Sequence, residues 1–132
     1  MIGYKKEVLI NLEKRIPNNL IVIPPTNKKA IEKYLTETII YCQLSRHEGH
    51  PNALCEAMSF GCIPIGTNVW GIPSTIGNAG YLFSEDEVTN INDVILDNII
   101  KNHNKEKEDP AAYIKKNFPL KKRMRLFVDI FK

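Results

Sequence analysis

Two carboxylates, Glu48 and Glu56, stand eight positions apart, and the residues around them suit anion binding. The stretch reads Ser45-Arg46-His47-Glu48-Gly49-His50-Pro51-Asn52-Ala53-Leu54-Cys55-Glu56-Ala57-Met58. Ser45 to Pro51 reads as a polar loop. From Pro51 to Phe60, Leu54, Ala57 and Met58 fall at helical spacing, and Gly61 stands where a C-terminal cap belongs. The first amides of a helix lack intrahelical partners, and the dipole adds partial positive charge there. The N–H groups of Gly49, His50, Asn52 and Ala53 are therefore expected to converge on a phosphate. Glu48 precedes the helix, and Glu56 follows about two turns after a start near Gly49. From either side of a phosphate they would accept hydrogen bonds from sugar hydroxyls. Neither would touch the phosphate itself, since like charges repel.

Other chemistries fit less well. His47 and His50 flank a glycine in a loop and do not form the His-Glu-x-x-His pattern of a zinc site. Ser45 lacks a nucleophile elbow. The three cysteines, Cys42, Cys55 and Cys62, include no Cys-x-x-Cys pair and sit among apolar residues. They are expected to be reduced, mostly buried thiols of a cytosolic protein. His103 lies in a charged stretch and is expected to be solvated. Trp70, in a Gly-rich loop, either covers the pocket or packs.

Elements that alternate along the chain must position this loop. Val8, Leu9, Leu12 and Ile16 fit a first helix that Pro17 ends. Leu20-Ile21-Val22-Ile23, Thr38-Ile39-Ile40-Tyr41-Cys42, Ile63-Pro64-Ile65-Gly66 and Tyr81-Leu82-Phe83 read as buried parallel strands. Between the first two, Thr26 is the expected N-cap of a helix from Asn27 to Leu35. A helix is expected from Val88 to Asn102, then a charged connector over 103–109, then a helix opened by Pro110. Leu120, Met124, Phe127, Val128 and Phe131 make an apolar stripe on a last helix. The pattern predicts an α/β fold, a Rossmann-like parallel sheet of about four strands flanked by helices. Such sheets bind ligands beyond the C-terminal ends of their strands.

The 132 residues set a single domain over 1–132 as the expectation. Hydrophobic residues at 43% and charged residues at 25% fit a folded soluble chain rather than a disordered one. The net charge of +3 is too mild to argue for nucleic acid. No apolar run reaches membrane-helix length, and no secretory signal is visible. A cytoplasmic location follows as the expectation.

These motifs resemble the C-terminal, donor-binding domain of family 4 retaining glycosyltransferases of the GT-B fold. The family hallmark is a Glu, seven residues and a second Glu, inside Ser-x-x-Glu-Gly-Phe-x-x-x-x-x-Glu-Ala-Met-Ala-x-Gly-x-Pro-Val. Ser45-Arg46-His47-Glu48-Gly49-His50 and Glu56-Ala57-Met58-Ser59-Phe60-Gly61-Cys62-Ile63-Pro64-Ile65 follow it. Trp70-Gly71-Ile72-Pro73-Ser74 is similar to the family's Gly-Gly-Ile-Pro-Glu, and Gly80-Tyr81-Leu82 to its later Gly-x-Leu. Asn19 to Pro24 resembles the strand before the base-contacting loop. The similarity spans roughly residues 17 to 131.

The resemblance implies transfer of a sugar from a nucleotide-diphospho-sugar to a glycan or lipid-linked acceptor, with retained anomeric configuration. Glu48 would contact donor-sugar hydroxyls as the catalytic residue. Gly49, His50 and Pro51 would lie against the sugar and pyrophosphate, and Asn52, Ala53 and Leu54 would offer amides to phosphate oxygens. Glu56 would hold the ribose, and Ile23, Pro24 and Pro25 the base. No cofactor and no metal are implied. His50 departs from the family's Phe, Trp70 from its first Gly and Ser74 from its Glu. The family's diphosphate-clamping Arg and Lys, the strand before them and the acceptor domain have no counterpart here. An N-terminal domain, a partner chain or a second copy is therefore expected to complete the sheet and the acceptor site. Lys115, Lys116, Lys121, Lys122, Arg123 and Arg125 beside the last apolar stripe suit peripheral contact with the inner face of a membrane; a solvated basic face is the simpler expectation. The alternative function is a noncatalytic nucleotide-sugar-binding or assembly module. An epimerase of the same fold is disfavoured, because it too needs two domains.

Overall fold

The computed structural model describes residues 19–119. The helix expected over 5–15 and the apolar stripe beyond Pro119 lie outside the described residues. The chain divides into two compact units, Met1–Tyr34 and Leu35–Lys132.

In the first unit, Leu20 to Ile23 is not the buried strand that its apolar run predicts. It carries only an isolated bridge at Ile23, and Leu20 and Ile21 are exposed. Pro24 and Pro25 bring no amide hydrogen to a ladder, so so short a run cannot be extended past Ile23. Helix α1, Lys28–Glu37, whose last three residues belong to the second unit, forms where expected. Its cap is Asn27 rather than Thr26, with Asn27 Oδ1 accepting from the Ala30 amide at 3.0 Å.

The second unit holds strands β1 (Ile40–Gln43), β2 (Ile63–Thr67) and β3 (Tyr81–Phe83). They form a parallel sheet in the order β1-β2-β3, with Cys42 opposite Ile65 and Thr67 opposite Phe83. Three strands thus stand in the sheet where about four were expected, and the shortfall falls on Leu20–Ile23. Helices α2 (Asn52–Ser59), α3 (Gly71–Ile76), α4 (Glu85–Val88), α5 (Asp93–Glu106) and α6 (Pro110–Asn117) complete this unit among the described residues.

The two sheet faces are covered differently. Leu54, Cys55 and Met58 of α2, Ile72 and Ile76 of α3, and Ile114 of α6 pack into one cluster, which Tyr41 joins. Ile63 and Ile65 of β2 and Ile99 of α5 form the other, with Ile40 and Phe83 against it. Every residue of β2 is buried, as a middle strand covered on both faces requires.

Three helical assignments differ from the sequence reading. Residues 71–76 form α3 rather than loop, because Pro73 sits in a first turn, where its missing N–H costs nothing. The helix expected from Val88 is split. Ser84 and Glu87 form a capping box that starts α4, and Asn92 Oδ1 accepts from the Ile95 amide to start α5 afresh. The Ser84 amide, with the Ser84 hydroxyl adding to it, holds the Glu87 carboxyl below its ordinary range. Helix α5 then runs on to Glu106 and absorbs the first four residues of the expected connector. Pro110 opens α6 as expected, with Asp109 as its N-cap.

His103 is the consequence of that longer helix. It is 2% exposed, not solvated. Neither ring nitrogen has a hydrogen-bond partner among the described residues, nor does the Tyr81 hydroxyl, whose ring centroid lies 6.0 Å away. Burial pushes the imidazole below its ordinary value; the Asp109 carboxylate opposes this and Lys107 adds to it. A folded-state pKa below about 6.5 means the unfolded chain binds more protons as pH falls through that value. Stability is therefore expected to be full above pH 6.5 and to decline below it, levelling off under the folded-state pKa. Melting temperature measured from pH 8 to 5, for the parent and for His103→Leu, checks this. The parent should lose ground relative to the variant only below about pH 6.5, and parallel curves would refute it.

Candidate functional site

The loops that leave the C-terminal ends of β1 and β2 are bonded to each other. Thr67 Oγ1 donates to the Ser45 carbonyl at 2.6 Å, and the Gly71 amide donates to the Glu48 carbonyl at 3.0 Å. A Cβ at Gly71 would overlap the Gly49 carbonyl oxygen, so only glycine permits the approach. Arg46, the one arginine among the described residues, reaches Glu85 at the start of α4, with Nε 3.8 Å from the carboxylate. Both side chains are exposed, so the pair adds little to stability.

Glu48 is half-buried and oriented from below. The Tyr41 hydroxyl donates to Gln43 Oε1 at 3.3 Å. Gln43 Nε2 in turn donates to Ser45 Oγ at 2.7 Å and to Glu48 Oε2 at 3.3 Å. Burial pushes the Tyr41 phenol up, with Cys42, Glu48, Cys62 and Glu56 adding to the effect, so both carboxylates act electrostatically on one hydroxyl. Glu56 is half-buried on α2.

The start of α2 is uncapped. Its N-cap, Pro51, makes no side-chain cap hydrogen bond, and the first turn closes with Cys55 donating to the Pro51 carbonyl at 3.1 Å. The amides of Gly49, Asn52, Ala53 and Leu54 find no acceptor among the described residues. Asn52 and Ala53 are exposed, while the Leu54 side chain is fully buried in the core. Open amides and helix dipole therefore face outward while Leu54 anchors the turn from within. His50 is exposed, its Nε2 3.8 Å from Cys55 Sγ and its ring 5.8 Å from that of Phe118. At the other end of α2, Gly61 caps with φ +83°, as its position in the sequence suggested.

The structure thus brings Glu48, Gly49, His50, Pro51, Asn52, Ala53, Leu54 and Glu56 into one continuous loop and helix. Ile23, Pro24 and Pro25 lie in the first unit, Ile23 half-buried and both prolines exposed. Sequence reasoning missed Tyr41, Gln43, Thr67 and the structural role of Gly71. Tyr41 and Gln43 stand two apart on β1 and so share a face, a signal the sequence did carry.

Trp70 is 73% exposed and has φ +48°, the one non-glycine with positive φ among the described residues. It occupies the position of the first glycine in the related Gly-Gly motif. Such a backbone costs a bulky residue on the order of 1–3 kcal/mol. Among the described residues no group of three or more His, Cys, Asp or Glu comes together that could hold a metal ion. No described helix is long and apolar enough to cross a membrane.

No curated protein matches the chain. The family described as glycosyl transferases group 1 matches residues 1–130 of the 132, taking in the first sixteen residues that the motif resemblance left aside. With almost the whole sequence matched and a parallel α/β sheet presenting the Glu48–Glu56 segment beyond its strand ends, the chain belongs to the glycosyl transferases group 1 family.

Proposed function

We propose that this chain is the donor-binding part of a retaining glycosyltransferase, taking a sugar from a nucleotide-diphospho-sugar to a glycan or lipid-linked acceptor. The observation that carries the reading is the uncapped start of α2, with open amides at Asn52, Ala53 and Leu54 directly after a loop that holds Glu48. In this reading those amides hold phosphate oxygens, and Gly49, His50 and Pro51 lie against the sugar and pyrophosphate. Glu48 orients the sugar hydroxyls through a carboxylate that Gln43 steadies. Glu56 accepts from the ribose hydroxyls. The main contribution to rate is fixed positive potential at the departing phosphate, which the helix start supplies without reorganisation. Arg46 stands in the same loop as a further cation. No metal or cofactor is part of the proposal.

The acceptor site is supplied by an N-terminal domain, a partner chain or a second copy. The complex works in the cytoplasm at the inner membrane face, where Lys115 and Lys116, exposed in the last turn of α6, begin the basic segment.

The test is a thermal-shift titration with UDP, GDP, ADP and their sugars. A nucleotide at 100 times its Kd should add about 2.7 kcal/mol, several degrees for a chain of this size. Glu56→Ala removes a charged acceptor of two hydroxyl hydrogen bonds, so affinity should fall by about tenfold to a hundredfold. No shift with any nucleotide, in a chain that melts cooperatively, would overturn the reading and leave a noncatalytic assembly module.

A further inference from the structure

Trp70 combines three features that core packing does not explain. Its indole is 73% exposed. Its backbone holds a positive φ, where a bulky side chain is disfavoured and glycine is not. Its ring centroid lies 6.1 Å from that of His47 at an interplanar angle of 34°, so two aromatic rings stand side by side on the surface. The loop is also tied to the site. Gly71, the next residue, donates its amide to the Glu48 carbonyl and leaves no room for a side chain against Gly49. Strain kept one residue from that contact points to a function for the exposed indole.

We propose that Trp70, flanked by His47, is the stacking platform for a pyranose ring of the acceptor glycan at the rim of the Glu48 loop. A pyranose presents axial C–H groups on a flat apolar face and hydroxyls around its edge. The C–H face suits the negative face of an indole, and the edge hydroxyls suit the polar groups of the Glu48 loop that Gly71 contacts. The exposed ring is open to a ligand arriving from solvent. This proposal rests on the reading of the Glu48 loop as the donor site, since that reading makes the rim the place where an acceptor arrives.

Trp70 is the sole tryptophan of the chain, so its emission reports the site directly. The experiment titrates the full chain with neutral oligosaccharides of glucose, galactose, mannose and N-acetylglucosamine, and separately with UDP, GDP and ADP. A saturable quench and blue shift with one oligosaccharide series is expected. His47→Ala should weaken it about three- to tenfold. Trp70→Gly, which suits the backbone and should melt no lower than the parent, should abolish oligosaccharide binding by calorimetry. No emission change with any oligosaccharide would overturn the proposal, as would binding undiminished in Trp70→Gly. Quenching by nucleotides alone would also overturn it, since the indole would then stack a base. Oligosaccharide binding at Trp70 without any nucleotide thermal shift would sink the donor reading and leave the platform standing.

Discussion

Gly71→Ala is expected to destabilise the protein by about 2–4 kcal/mol and to weaken nucleotide-sugar binding by at least about tenfold. The added Cβ would overlap the Gly49 carbonyl oxygen, with the Gly49 carbonyl carbon at 2.8 Å and the Glu48 oxygen at 3.3 Å. All three are backbone atoms, so no rotamer change relieves the contact. The loop carrying Glu48 must move outward, and the Gly71–Glu48 hydrogen bond is lost with it. Overpacking accounts for about 1–3 kcal/mol and the lost bond for about 1 more. Binding suffers separately, because a loop displaced by about 1 Å misaligns every group it carries. Chemical denaturation and a nucleotide titration of the same variant measure the two effects. A midpoint equal to that of the parent would mean the loop yields freely and that the contact does not position Glu48.

Leu54→Ala should separate the core from the site. The Leu54 side chain is fully buried among Met58, Ile72 and Ile76, while its amide belongs to the open start of α2. Truncation should cost about 2–5 kcal/mol in lost burial and cavity, roughly 8–20 °C in melting temperature. The amide remains in place, so nucleotide affinity at a temperature where the variant is folded should change less than about threefold. A large affinity loss in a folded Leu54→Ala protein would show that side chain and amide do not act independently. A small change in melting would show that neighbouring side chains collapse into the space.

Both variants test tertiary relations, but the local parts of the site were legible in the sequence. The uncapped helix start could be read from Gly49, Pro51 and the spacing of Leu54, Ala57 and Met58, because helix periodicity and terminal amides are local properties. Gly61 at the cap and Pro110 at a helix start followed from backbone geometry that those residues impose. What failed depended on neighbours distant in sequence. Leu20 to Ile23 has strand composition, yet an apolar run forms a ladder only where partner strands meet it. His103 looked solvated because its sequence neighbours are charged; a longer α5 turned it inward against Tyr81.

The sequence by itself determined the α/β class, the Glu48–Glu56 segment and the family to which it belongs, because motif spacing and local periodicity are written in consecutive residues. Only the tertiary structure decided how the segment is held. Gln43, the last residue of β1, reaches Glu48 in the loop that follows it, but Thr67 at the end of β2 and Gly71 at the start of α3 reach that loop from a distant part of the chain. Those contacts exist because parallel strands bring two chain-distant loops to one sheet end, a register no local pattern encodes. Trp70 follows the same division. Its identity at a family glycine position is plain in the sequence, but its positive φ and its exposure are properties of the folded chain alone.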